Sequence, residues 1–278
     1  GCTSEAINNV SYALVTQGAM SEVFTPAFSQ LQQSLKNLAQ QWRDEPMLSR
    51  THGQPATPTT MGKEIAVFAH RLTAIAERLE AIPYLAKFSG ATGTFSAHVV
   101  AEPAVNWPVV SKTFVEGLGL SWNPLTTQIE SHDALAELLT TLAHGNRILH
   151  NLCTDIWTYI SLGYLTQIPE PGATGSSTMP HKINPIRFEN AEANLEISSA
   201  LLDSLASTLV TTRLQRDLTD SSTLRNLGVA FGHSLLALTN IHKGLGDIAL
   251  NSEALAADLA ANEEVLAEAI QMVIRAEI

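Results

Sequence analysis

The sequence predicts an all-α fold, an elongated bundle of long helices. Three observations carry that prediction. Apolar residues recur at alternating spacings of three and four over long stretches, the mark of one buried stripe on a helix. Glycine and proline gather in a few short segments that interrupt the pattern. The helices so bounded are long: the run over 133–164 would extend roughly 48 Å and cannot bury its stripe without neighbours in its own chain or in partners.

Each element follows from its spacing. No lead-in helix is expected at the opening "GCTSEAINN". After Pro26, the residues Phe28, Leu31, Leu35, Leu38 and Trp42 form a first stripe. A polar segment, "SRTHGQPATP" (49–58), reads as a short loop before the stripe Met61, Ile65, Phe68, Leu72, Ile75, Leu79 and Ile82. Residues 83–132 carry Gly, Pro and small polar residues and read as loops, with a short hairpin and one helix near 108–118. The third stripe runs Leu135, Leu139, Leu142, Asn146, Leu149, Cys153, Ile156 and Ile160, with one polar residue in its seam. "IPEPGATGSSTMPHKINP" cannot be an uninterrupted helix, and Asn184 before Pro185 suits the start of the next one. Helices are expected over 186–212 and 222–248, and a weaker one over 252–275. The pattern still runs at the last residues, "VLAEAIQMVIRAEI", so residues 1–278 read as one helical domain cut at both ends from something longer.

Composition narrows the function. The chain has 278 residues, 45% hydrophobic and 15% charged, which suits a globular fold. A formal charge of −11 argues against a general nucleic-acid binder, though it says nothing about a single anion pocket. Cys2 and Cys153 are the two cysteines and form no CxxC pair, which fits a reduced, cytoplasmic compartment. No apolar run approaches the length of a membrane span, and no signal segment opens the chain, so a soluble protein is expected.

The chemistry must sit in the polar clusters "TSEAINN", "SRTHGQPATP", "GSSTMPHKINPIRFEN" and "RLQRDLTDSSTLRN", with "TTQIESHD" as a weaker fifth. There is no HExxH, no metal-type Cys or His spacing, no Walker loop, no dinucleotide fingerprint and no GxSxG elbow. Nothing asks for a cofactor. What remains is acid and base chemistry on an anionic substrate. His52, flanked by Thr51, Gly53 and Gln54, lies at a helix junction where an imidazole suits a proton donor. The serine pair Ser176 and Ser177 could bind an anion or supply a base, and a serine base needs a cation or backbone donors beside it. Lys182 could be that cation or hold a carboxylate, and Glu189 could orient a histidine. The plain alternative is a loop that only caps helices.

"GSSTMPHKINP" is long and specific, and it resembles the signature loop of the fumarase/aspartase superfamily. "TSEAINN", "SRTHGQPATP" and the glutamate of "FEN" resemble its other characteristic stretches, in order. Within it, "STMPHKINPIRFEN" with "QRDLTDSSTLRNLG" most resembles the bacterial adenylosuccinate lyase branch, over essentially all residues. The resemblance implies an all-α bundle forming the core of a homotetramer, with active sites shared between subunits. It implies cofactor-free elimination of fumarate from adenylosuccinate, giving AMP, and from the succinyl-carboxamide ribotide of purine biosynthesis. His52 then matches the general acid and Ser176 the general base, with Ser177 its rival. Lys182 and Asn184 match residues that stabilise the carbanion, and Glu189 the partner of the acid histidine. Thr3, Ser4, Thr51, Gln128, Asn190, Arg216, Ser221, Ser222 and Arg225 match substrate-binding positions, while His132 and His181 have weaker claims. The family's N-terminal domain and small C-terminal domain are not matched, so the chain by itself is expected to be weak or inactive. Two rivals stand beside this reading: another fumarate-releasing lyase of the superfamily, and a helical oligomerisation module without activity.

Overall fold

The computed structural model describes residues 1–169, 179 and 182–278. The serine pair and His181 lie outside the described residues. Long helices dominate: α1 (Ser4–Gly18), α2 (Thr25–Gln41), α3 (Met61–Ala81), α6 (Asp133–Ser161), α7 (Ile186–Leu209) and α9 (Leu227–Gly246). Shorter helices are α4 (Ser96–Ala101), α5 (Trp107–Glu116), α8 (Thr219–Leu224), α10 (Ser252–Ala260) and α11 (Ala267–Glu277). A π-turn over Ala19–Phe24 joins α1 to α2. Among the described residues, strand structure is limited to three two-stranded pieces: β1 (Pro46–Thr51) with β2 (Gln54–Thr60), β3 (Leu85–Ala86) with β4 (Ser121–Trp122), and β5 (Leu165–Gln167) with β6 (Ile248–Leu250).

The all-α prediction holds, and the first three heptad stripes end where expected to within a few residues. The helix expected over 222–248 is instead two, α8 and α9, broken at Arg225 and Asn226, and that over 252–275 is broken between α10 and α11 by a 3-10 turn, Glu263–Leu266. Three further local features differ. The opening residues do form a helix, α1, which buries Ala6 and Val10. Residues 46–60 form an antiparallel hairpin instead of a loop, with Thr51 paired to Gln54. Prolines 46, 55 and 58 masked it, yet a two-stranded ribbon has only edge strands, where a missing N–H is tolerated. Between residues 83 and 132 the pairing is parallel, Leu85 with Ser121 and Ala86 with Trp122, and not a hairpin. Closing that pair needs α4 and α5 in between, as parallel strands require a crossover.

The chain divides into two compact units, with the divisions falling inside α2, α3, α6, α7 and α9. The first comprises residues 1–28, 74–147 and 194–235. There Val10, Ala86, Val115 and Leu120 make a small core cluster. Its polar seam residue, Asn146, is 1% exposed: it donates to Ser198 Oγ at 3.0 Å and accepts from Ser234 Oγ at 2.7 Å. Ser198 Oγ in turn donates to the Ala230 carbonyl at 2.8 Å, so α6, α7 and α9 are tied by a satisfied buried network. The second unit comprises residues 29–73, 148–193 and 236–278. Leu31, Leu35, Met61, Ile65 and Leu72 are all buried there, and Phe188 packs over Gly244.

Candidate functional site

The expected site residues fall into two groups. Thr51, His52, Lys182, Asn184, Glu189 and Asn190 belong to the second unit. Thr3, Ser4, Gln128, Arg216, Ser221, Ser222 and Arg225 belong to the first.

In the second unit, His52 and Gly53 form the two-residue turn of the β1–β2 hairpin, with φ of +52° and +74°. Two positive φ values match the right-handed twist of the flanking strands, and glycine supplies one of them without strain. Histidine is among the side chains that tolerate this region. The consequence is an exposed imidazole at the tip of a short, braced arm. The brace is an ion pair: Arg50 Nη2 lies 2.6 Å from Asp258 of α10, which also accepts from the Tyr164 hydroxyl. A pocket of about 300 Å³ beside the turn is lined by Arg50, Gly53, Glu64, Asp155, Tyr159 and Tyr164 among others. Burial raises the Asp155 carboxyl and the Tyr159 hydroxyl above their ordinary values.

Lys182 is exposed, and its backbone N–H donates to the Met179 carbonyl at 3.0 Å. Asn184 precedes α7, and its carbonyl accepts from Ile186 at 2.8 Å. Glu189 sits in the first turn of α7, where a carboxylate is favoured by the helix dipole. Its Oε1 accepts from Trp157 Nε1 at 3.1 Å, so among the described residues its side-chain contact is to an indole. Asn190 Oδ1 accepts from Asn240 at 2.9 Å.

In the first unit the residues converge on Arg216. Asp217 organises the turn that carries it: its carboxylate accepts from the Thr219 and Arg213 backbone N–H groups, each at 2.9 Å. Those bonds, Thr219 first, hold the Asp217 carboxyl down at about 2. Arg216 Nη1 lies 2.7 Å from Asp220 and 3.5 Å from Glu5. Asp220 Oδ1 accepts the Ser221 N–H at 2.7 Å, and Gln128 donates to the Ala91 carbonyl at 2.8 Å. Thr3 stands at the N-cap of α1 with its hydroxyl buried and unpartnered among the described residues. Ser222 and Arg225 are exposed on α8 and just beyond it.

Three neighbours of Arg216 were not expected from sequence, Glu5, Lys87 and Asp220, nor was Glu130, which faces Glu5 and Lys87. Glu5, Asp220 and Glu130 belong to the polar clusters named above, which was the available signal, whereas Lys87 stands alone in "YLAKFSG". Lys87 is fully buried, with Nζ 3.4 Å from the Thr127 carbonyl. Burial pushes its amine down to about 8, against the pull of Glu5 and Glu130. Burial likewise pushes the Glu5 carboxyl up to about 7, opposed by Arg216. His132, at φ +61° and 4% exposed, has its imidazole pKa lowered by burial, and its backbone N–H donates to Glu130 at 2.8 Å. Glu5, His132 and Asp220 bring ligand-type atoms within 4.8 Å of one another. Arg216 already lies against both carboxylates, so the cation this cluster needs comes from the chain itself. Among the described residues no helix is long and apolar enough to cross a membrane.

Comparisons with known proteins bear on these groups. A sequence family described as lyase matches residues 1–196, and one described as adenylosuccinate lyase C-terminal matches residues 212–278. The adenylosuccinate lyases of Escherichia coli (strain K12) and Legionella pneumophila (strain Corby) are 50% and 51% identical to 99% of this chain. That of Dictyostelium discoideum is 48% identical over 100% of it. The chain spans 60% of the length of each of these curated relatives. Among solved structures, a fumarate lyase from Mesorhizobium sp. BNC1 superposes with a TM-score of 0.82 at 23% identity, over 98% of this chain and 60% of that one. A 3-carboxy-cis,cis-muconate lactonizing enzyme from Pseudomonas putida gives 0.80 at 23% identity, over 100% and 62%. These two likenesses are of fold.

Proposed function

We propose, from the premise that this chain belongs to the lyase family, that it is the acid- and base-bearing part of an adenylosuccinate lyase. The observation that carries the reading is near-50% identity to relatives of that name across essentially the whole chain. The reaction is a β-elimination. The Ser176 alkoxide takes the proton from the carbon beside the departing nitrogen's carbon, and the carbanion is held as an aci-carboxylate near Lys182 and Asn184. The C–N bond then breaks, His52 protonates the leaving nitrogen, and fumarate and AMP are released. The succinyl-carboxamide ribotide reacts in the same way.

Two features support the assignment of roles. The hairpin presents the His52 imidazole to solvent on a braced turn, where a bound substrate can reach it. The first unit sets an arginine against two carboxylates, a pre-oriented hydrogen-bond donor to an anion. We take Thr3, Ser4, Thr51, Gln128, Asn190, Arg216, Ser221, Ser222 and Arg225 as substrate-binding. Glu189 supports an acid histidine, and the working form is a homotetramer whose sites are shared between subunits.

Fumarate release from adenylosuccinate, followed by ultraviolet absorbance, tests the reading. His52→Ala is expected to lower kcat by about 10²–10⁴-fold with KM little changed. Equal turnover in both would overturn the role of His52. A chain that assembles into tetramers yet releases no fumarate behaves as an oligomerisation module by itself, an outcome in keeping with the weak or absent activity expected of it alone, and leaves the family assignment standing.

A further inference from the structure

We infer that Glu5 and Asp220 are positioning residues for anion binding: they hold one face of the Arg216 guanidinium and leave its other N–H groups aimed at an anionic group of the substrate. The inference rests on Arg216 being substrate-binding and adds how that side chain is prepared. Its geometry is one-sided. Both carboxylates meet Nη1, at 2.7 Å and 3.5 Å, and among the described residues Nε and Nη2 have no partner. The Arg216 side chain is 18% exposed, while Glu5 and Asp220 are 3% and 7% exposed, so the pair lies behind it and the free edge faces outward.

Asp220 cannot swing away. Its second oxygen takes the Ser221 N–H at 2.7 Å, which also fixes the first turn of α8. Glu5 is anchored through α1, whose Asn9 reaches the backbone of Lys87 in both directions, at 2.8 Å and 3.1 Å. Fully buried Lys87 faces Glu5 and Glu130, offsetting negative charge that would otherwise crowd the arginine. As a stabilising device such a set is poor, because burying ionised groups costs about as much as their attraction returns. As a device for holding one guanidinium in a single orientation it is effective, since ordering a long side chain in advance removes that cost from binding. The free edge, two N–H groups in a plane, fits a carboxylate or a phosphate.

Isothermal titration of AMP and of fumarate, in separate runs, tests this on the chain and its variants. Arg216→Ala should weaken one of the two anions at least about tenfold, which tells phosphate from carboxylate. Asp220→Asn and Glu5→Gln should each weaken the same anion about three- to tenfold, and should add nothing further in the Arg216→Ala background. A merely structural role would lower affinity in both backgrounds, and that result overturns the inference. So does unaltered affinity in Asp220→Asn and Glu5→Gln when Arg216→Ala has lost binding, an outcome that spares the reading of Arg216 itself. If Arg216→Ala binds both anions as the unaltered chain does, or the unaltered chain binds neither, that reading fails and the inference with it. Should Asp220→Asn not fold, Asp220→Glu keeps the charge and is expected to bind with intermediate affinity; full loss there, in a folded protein, counts against positioning through charge.

Discussion

A carboxylic acid at 2% exposure must have its charge balanced or keep its proton, and Glu5 sits between these limits. Burial pushes its pKa from 4.5 up to about 7, although Arg216 and Lys87 face it, because Asp220 and Glu130 face it too. The sign follows from linkage. Between pH 4.5 and 7 the folded chain keeps a proton the unfolded chain has lost, so stability falls as pH rises through that window. The fall attributable to Glu5 is up to about 3 kcal/mol, and Glu5→Gln should abolish it. Denaturant midpoints at pH 5, 6, 7 and 8 for both proteins provide the check; parallel profiles would sink the assignment. Lys87 acts in the opposite sense at higher pH: its amine is lowered to about 8, so its contribution to stability rises from there toward 10.5. At this scale the sequence pointed to His52, Arg216 and the polar motifs as candidates, but no local pattern marks Lys87 as a buried cation among acids.

Elements depend on close approach as much as on periodicity, and two glycines show it. A Cβ at Gly62 would stand 2.4 Å from the Ala39 carbonyl oxygen and 2.5 Å from the Arg43 backbone, so α3 can start against the end of α2 only without a side chain there. A Cβ at Gly244 would instead meet the Phe188 ring, 2.8 Å from Cζ. Backbone cannot yield, whereas a ring can turn slightly, and alanine recovers some helix propensity in the last turn of α9. Gly62→Ala should therefore cost about 3 kcal/mol or more and Gly244→Ala about 1 kcal/mol. Thermal melts of the two variants give the order directly, and the reverse order would contradict the packing described. The long helices were legible because a stripe of spacing three and four is a local signal that survives any tertiary arrangement. The β1–β2 hairpin was not, because its prolines and small polar residues read as loop until the pairing of Thr51 with Gln54 is seen. In the proposed reaction that hairpin has a part, since its turn sets the direction of His52.

At the scale of the whole molecule, a net charge of −11 coexists with cations placed where they are needed, at Lys87 within the first unit and Arg50 within the second. Exposed apolar side chains on α1, Ile7 at 69% and Val15 at 63%, are compatible with the tetramer proposed above. Sedimentation equilibrium is expected to give about four times the chain mass of 29.9 kDa, and a monomer at micromolar concentration would count against the tetramer. The sequence by itself determined the helical class, the extent of the stripes, the motifs with their order, and the kind of chemistry they allow. All of these are carried by neighbours within a few residues. Only the tertiary structure decided that Glu5, Lys87, Glu130, His132, Arg216 and Asp220 meet, and that His52 turns outward on a strand pair. Those residues are separated by as many as 215 positions, from Glu5 to Asp220, or by a turn whose geometry no periodicity encodes. Their environment, and with it their charge, exists only once the chain has closed around them.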